Sequence, residues 1–300
     1  MRWMSRLVAL LSALALVACA GRPAPDRPVA AATIPPLADV VARVAGPAWR
    51  VETIIPPGGS PHVFEPTPRE ARLVAPARLV VTVGAGYDGW AARLASACAS
   101  KAALFDAGAA AGVEADDEPE TGAAHAHGGL GHDPHWWLSP PLVAKILPAL
   151  AAELASLDPA DAAGYRERAT LFSEALARLD AALLEMLRPV SGSSLFTAHN
   201  AWAYFADRYG LKVGASIEPV PGREPSPREI RALVLGARRE KVRTLFTEPQ
   251  FPPDVARVVA SEAGLSVATV DPIGGVAGRR SYDEILLFNA RAFRAGLEAP

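Results

Sequence analysis

From Val29 onward the chain alternates short apolar runs with longer amphipathic ones, and it does so twice. The first half reads as strands near 29–33, 51–55, 79–83 and 102–105, with helical patterns at 36–45, 67–76 and 88–99 between them. The second half reads as strands near 194–198, 212–217, 243–247 and 266–270, with helices at 201–209, 227–240, 253–263 and 281–297. Strands that alternate with helices are joined by crossovers, which makes the sheet parallel and covers its faces with helices. Two α/β lobes are therefore expected, each a mainly parallel sheet flanked by helices, and 300 residues suffice for both. Helix starts are marked by Thr67-Pro68-Arg69-Glu70, Ser226-Pro227-Arg228-Glu229 and Ser281-Tyr282-Asp283-Glu284. Each sets a capping hydroxyl three residues before a Glu, and the first two put Pro at the first helical position, where no N–H is missed.

Between the halves, Asp158-Pro159 opens a helical pattern that runs to Arg188, with Tyr165, Phe172, Leu176, Leu179, Leu183 and Leu187 on one stripe. Such a helix is roughly 40 Å long at 1.5 Å per residue. It would run the length of two stacked lobes and limit hinge motion between them. The expected layout is an N-terminal lobe at 29–157, a connecting helix at 158–189 and a C-terminal lobe at 190–300.

The first residues are of a different kind. Arg2 and Arg6 precede an apolar stretch from Leu7 to Val17, then Ala18 and Cys19, which is the pattern of a secretory signal at 1–18. Leu16-Val17-Ala18-Cys19 resembles a bacterial lipobox, in which the cysteine is acylated. A short membrane anchor is the alternative. Residues 19–28, with three prolines, read as a tether from the lipid. The folded part is then expected on the periplasmic or cell-surface side of a bacterial membrane. Past the N-terminus no apolar run reads as approaching the ~20 residues of a membrane span. The formal charge of −2 includes Arg2 and Arg6, so the processed chain carries −4. That balance argues against a nucleic-acid partner. With Cys19 lipidated, Cys98 is the one other cysteine, so a metal site within this chain must use His and carboxylate.

All six histidines fall in three places: His62, the stretch holding His125, His127, His132 and His135, and His199. Each place follows a strand or opens a helix, where open α/β sheets bind ligands. Converging neutral imidazoles suit Zn²⁺ in a tetrahedron. The wording around them carries more. Pro57-Gly58-Gly59-Ser60-Pro61-His62-Val63-Phe64-Glu65-Pro66, Asp133-Pro134-His135-Trp136-Trp137-Leu138-Ser139-Pro140 and His199-Asn200-Ala201-Trp202-Ala203-Tyr204-Phe205 resemble the metal-binding receptors of bacterial zinc and manganese ABC importers. So do Glu218-Pro219, Glu224-Pro225-Ser226, Thr247-Glu248-Pro249-Gln250-Phe251 and Val270-Asp271-Pro272-Ile273-Gly274, in the same order. The resemblance runs from about Val29 to the C-terminus.

The resemblance implies a monomeric binding protein, not an enzyme, with two lobes joined by one long helix. Metal would sit in the cleft, held by His62 and His135 from the first lobe and by His199 and Asp271 from the second, then pass to the membrane permease of an ABC importer. Manganese receptors of the family usually carry an acidic residue where this chain has His199. A nitrogen-rich site suits zinc and an oxygen-rich one manganese, so zinc is expected and manganese is the alternative. Asp271 is expected as fourth ligand because one carboxylate lowers the cost of burying the ion. Otherwise Asp271 caps the following turn, and Glu248 or water completes the shell. Glu248 is expected to hold a ligand imidazole in its tautomer from behind. Trp136 and Trp137 read as packing at the start of a helix. The glycine-rich stretch 112–132, with His125, His127 and His132, resembles the His-rich loop of zinc receptors and either gathers zinc weakly or is an inert linker.

Two other classes fit parts of the chain. Gly84-Ala85-Gly86-Tyr87-Asp88-Gly89 follows a strand, precedes a helix and has Asp106 some twenty residues on, which matches a dinucleotide-binding fingerprint. An exported oxidoreductase would leave the histidines without a role. A zinc hydrolase would use the same three imidazoles with a metal-bound water and Glu248 as general base.

Overall fold

The computed structural model describes residues 27–98, 100–113, 133–218, 223 and 225–298. The expectations for the leader, Cys19 and the tether to residue 26 lie outside the described residues, as do His125, His127 and His132. Strands β1 (Val29–Ala32), β2 (Arg50–Thr53), β3 (Ala77–Thr82) and β4 (Ala103–Asp106) form one sheet. Strands β5 (Ser194–His199), β6 (Lys212–Glu218), β7 (Thr244–Thr247) and β8 (Ser266–Thr269) form another. Both are parallel throughout, in the orders β2-β1-β3-β4 and β6-β5-β7-β8. The two sheets thus share one topology. In each, the strand order reverses beside the first strand, and a crevice opens there at the carboxyl ends.

The first sheet carries helices α1 (Pro35–Ala45), α2 (Pro68–Val74), α3 (Trp90–Ala97) and α4 (Ala107–Ala111), followed by α5 (Pro140–Leu157). The second carries α7 (Ala203–Tyr209), α8 (Pro227–Arg239), α9 (Pro253–Ala263) and α10 (Tyr282–Glu298). Caps form where the hydroxyl and Glu spacing places them. Thr67 and Glu70, and Ser226 and Glu229, each bond the other's backbone N–H. Ser281 and Glu284 do the same at 3.3 Å each way. Thr67→Ala removes the hydroxyl from a cap whose Glu70 is buried, and should cost about 1 kcal/mol. The measurement is the urea midpoint against wild type at unchanged slope.

The connecting helix α6 spans Ala162–Leu187, 26 residues, or about 39 Å. It is shorter than the sequence pattern because Pro159–Asp161 and Arg188–Val190 are 3₁₀ turns, each containing a proline. Its buried stripe is Tyr165, Ala169, Phe172, Leu176, Asp180, Leu183 and Leu187. Leu179, expected on that stripe, is only half-buried. Asp180 takes the inward place because Arg208 Nε and the Tyr209 hydroxyl reach its Oδ1 at 2.9 and 3.2 Å.

Helix α5 corrects one expectation. It is 18 residues long with mean hydropathy 1.3, close to the length of a membrane span. Here Val143, Ile146, Leu147, Leu150 and Leu154 are buried in the protein core. A signal this apolar reflects burial between neighbours, and Pro148 within it is accommodated in the helix.

One apolar core crosses from lobe to lobe. It takes in Ala30, Leu79 and Val81 from the first sheet, Leu195 and Phe246 from the second, and buried faces of α1, α5, α6 and α10. Polar ties reinforce it. Arg168 on α6 donates to the terminal carbonyls of α1 at Val44 and Ala45, 2.8 and 3.2 Å away. Asp39 accepts from the Tyr282 backbone N–H at 2.8 Å, and Arg43 reaches Asp283 at 2.8 Å. The Trp137 indole donates to the Pro272 carbonyl at 2.9 Å, and the Tyr282 hydroxyl to the Trp137 carbonyl at 2.7 Å. Gly275, at φ 83°, lets the second lobe's turn approach Pro35 and Pro57; a Cβ there would stand 3.1 Å from both prolines. Trp136 and Trp137 are therefore packing residues, as read, and Trp137 also joins the lobes.

Candidate metal centre

The three histidines arrive at one point from three separate loops. His62 lies in a 3₁₀ turn (Pro61–Val63) after β2, and His135 immediately precedes the 3₁₀ turn Trp136–Leu138. His199 is the last residue of β5, at the crevice where the second sheet's order reverses. One ligand nitrogen from each ring lies within 4.8 Å of those of the other two. His135 Nε2 is 3.2 Å from His62 Nε2 and 3.3 Å from His199 Nε2. His135 and His199 are 2% and 3% exposed, and His62 is half-buried at the mouth.

The partners behind the rings decide what those short separations mean. His135 Nδ1 is 2.5 Å from Asp133 Oδ1, which also accepts the His135 backbone N–H at 2.8 Å. His199 Nδ1 is 2.8 Å from Glu248 Oε2, an ion-pair distance with the N–H off the hydrogen-bond line. A carboxylate only accepts, so in each neutral ring the proton belongs on Nδ1 and the lone pair on Nε2. Two lone pairs 3.3 Å apart repel unless a cation lies between them. A tetrahedral zinc with bonds of ~2.0–2.1 Å separates its nitrogens by about 3.3 Å. The donor set fits that ion.

Burial is the main influence on His135, and it holds its pKa below the ordinary value against the opposing pull of Asp133. The ring is therefore neutral and ready to ligate. Aromatic rings close the surroundings. Tyr87 meets His62 and His135 at 4.8 and 5.5 Å between centroids, Trp137 meets His135 at 5.1 Å and Phe251 meets His199 at 4.8 Å. Burial among Asp88, Glu248 and Asp133 pushes the Tyr87 phenol well above its usual pKa, so it stays neutral.

Asp271, expected as fourth ligand, is not brought into the histidine group. Its Oδ1 accepts from Gln250 Nε2 at 2.9 Å and from the backbone N–H groups of Ile273 and Gly274 at 3.1 and 2.9 Å. Its Oδ2 faces Arg279 Nε at 3.2 Å. It caps the turn that follows, because two backbone N–H groups converge on it within three residues. Glu248 stands behind His199, and its Oε1 accepts from the Trp202 indole at 3.2 Å. Its Oε2 faces the His199 ring at 2.8 Å, which places it behind a ligand imidazole and not beside an open coordination position.

The glycine-rich segment 84–89 has a different task from the one its spacing suggests. Asp88 Oδ2 accepts the Thr33 hydroxyl and the Val83 N–H, both at 2.6 Å, and Oδ1 accepts the Gly84 N–H at 3.0 Å. The chain's own carboxylate thus takes the backbone donors a pyrophosphate would need. Asp106 caps α4 at Ala109 N–H, 2.9 Å away. The segment instead delivers Tyr87 to the histidines. Sequence reasoning assigned no role to Asp133 or Tyr87. Asp133 had a signal, an acid two residues before a ligand histidine; the role of Tyr87 depends on how the loop folds around Asp88.

Comparison with known proteins agrees with this geometry. The family model described as ZnuA, zinc-uptake complex component A, periplasmic, matches residues 31–296. The zinc-binding lipoprotein AdcA of Streptococcus pneumoniae is 28% identical over 91% of this chain, which spans 56% of that relative's length. The high-affinity zinc uptake system protein ZnuA of Yersinia pestis is 26% identical over 85% of this chain and 86% of its own. A crystal structure of ZnuA superposes with a TM-score of 0.78 at 30% identity, covering 91% of this chain and all of the other.

Proposed function

This chain belongs to the ZnuA family of periplasmic zinc-uptake components, and from that premise we propose that it captures Zn²⁺ outside the cytoplasm and delivers it to the permease of an ABC importer. The observation that carries this is the trio of Nε2 atoms at 3.2 and 3.3 Å, with the Asp133 and Glu248 carboxylates behind the Nδ1 atoms of two of the rings. Families of this kind bind solutes and are not enzymes. Zinc is held by His62, His135 and His199, and the fourth position goes to water, because Asp271 caps the turn that follows it and Glu248 stands behind the His199 ring. A three-nitrogen site disfavours manganese. Equilibrium titration against a chelator of known affinity tests this. Tight, stoichiometric zinc binding supports it, and manganese bound as tightly as zinc would refute it.

Around this site the rest of the chain takes its proposed roles. Residues 1–18 are the export leader, Cys19 carries lipid and 19–28 tether a monomer to the membrane. The lobes at 29–157 and 190–300 hold the cleft and 158–189 link them, while His125, His127 and His132 in 112–132 gather zinc weakly.

Protons compete with zinc for the imidazoles. Because the His135 pKa is lowered, its protonation begins further below the ordinary ~6.5, and its share of the competition moves to lower pH. Affinity should fall as pH drops below about 6, with a slope of fewer than three protons per zinc. Titrations from pH 5 to 7.5 check it; a flat profile or a slope of three would contradict the role given to His135.

A further inference from the structure

Resting on the zinc reading above, we propose that Arg279 determines metal choice by holding Asp271 away from the ion. Asp271 is linked to the site through its neighbours. Its neighbour Pro272 accepts from Trp137, whose ring packs on His135, and Gln250, which donates to Asp271, precedes Phe251, whose ring packs on His199. The carboxylate is 1% exposed. Oδ1 already accepts three N–H groups, so Oδ2 is the oxygen left to serve a cation.

That cation is Arg279, with Nε at 3.2 Å from Oδ2. The guanidinium is fixed on its other side by the Phe288 ring, 4.4 Å from its carbon. Its backbone is pinned as well: the Arg279 carbonyl accepts from Gly275 at 2.7 Å and its N–H donates to Val276 at 2.9 Å. A buried carboxylate stripped of its partner is strongly disfavoured and seeks another cation. With Arg279 in place, the ion receives three nitrogens and no protein carboxylate. Without it, Oδ2 turns to the metal and adds the oxygen that manganese prefers.

The test is the ratio of manganese to zinc affinity, measured by competition titration on the whole mature protein. Arg279→Gln should raise that ratio by about tenfold or more, the size of effect that groups behind metal ligands exert. Arg279→Lys, which keeps the charge, should restore most of the wild-type ratio. Adding Asp271→Asn to Arg279→Gln should abolish the gain, because the oxygen donor is then lost. Cobalt(II) absorption should change in Arg279→Gln and return towards wild type in the double variant. An unchanged ratio and cobalt spectrum in Arg279→Gln, with zinc still bound, overturns the proposal alone. So does a gain that persists in the double variant. If the wild-type chain takes up no zinc, the underlying reading fails first. If Arg279→Gln does not fold, a reduced zinc affinity of more than about 100-fold in Asp271→Asn alone would mark Asp271 as a ligand and overturn the proposal.

Discussion

Replacing His135 by alanine should abolish tight zinc binding, with a loss well beyond the ~10–100-fold that follows removal of a group behind a ligand. His135 stands between the other two imidazoles, at 3.2 and 3.3 Å from each. Its removal leaves two nitrogens that no longer share a neighbour. His199→Ala and His62→Ala should also be severe, since each takes one of three nitrogen donors. Asp133→Asn provides a graded comparison. It keeps the side-chain shape but weakens the acceptor at His135 Nδ1, and should cost about 10–100-fold. Deleting 116–131 should leave the tight site nearly intact. Calorimetry on the five variants checks the order; a loop deletion that abolishes tight binding while His199→Ala keeps it would contradict the ligand assignment.

Zinc should also stabilise the folded chain strongly. The ion ties His62 and His135 of one lobe to His199 of the other and has no comparable site in the unfolded chain. At free zinc 1,000-fold above the dissociation constant, mass action gives ~4 kcal/mol. For a chain of this size, that raises the melting temperature by roughly ten degrees. Calorimetric scans with and without zinc measure it, and an unchanged midpoint would mean that the folded chain has no tight zinc site. The shape should change little at the same time. A core shared between lobes, the Arg43 to Asp283 pair, the Asp39 to Tyr282 bond and the Trp137 to Pro272 bond all oppose opening. Small-angle scattering of the two forms should give nearly equal radii of gyration. A large zinc-induced drop would make α6 a hinge.

The elements were legible in the sequence for definite reasons. Buried parallel strands are continuous apolar runs, and the helices between them carry hydroxyl, proline and Glu signals at their starts. The convergence of His62, His135 and His199 could be inferred because each lies in a place that follows a strand or opens a helix. What could not be read was which group stands behind which. Asp271 and Glu248 both follow strands and look equivalent along the chain. They separate only when Arg279 and the Ile273 and Gly274 N–H groups take Asp271, while Trp202 and His199 take Glu248. Leu179 was placed on the buried stripe where Asp180 sits for the same reason: the apolar pattern of α6 gives no hint of Arg208, 28 residues on from Asp180. Periodicity reports burial, whereas polar partners are fixed by tertiary contacts that leave no local trace.

The most direct test of the central claim is the metal content of the mature protein after equilibration with zinc and removal of free ion. Elemental analysis should find one tightly held zinc per chain in the wild type and none in the His62→Ala, His135→Ala, His199→Ala triple variant. A wild type that retains no zinc, or a triple variant that keeps one, would contradict it.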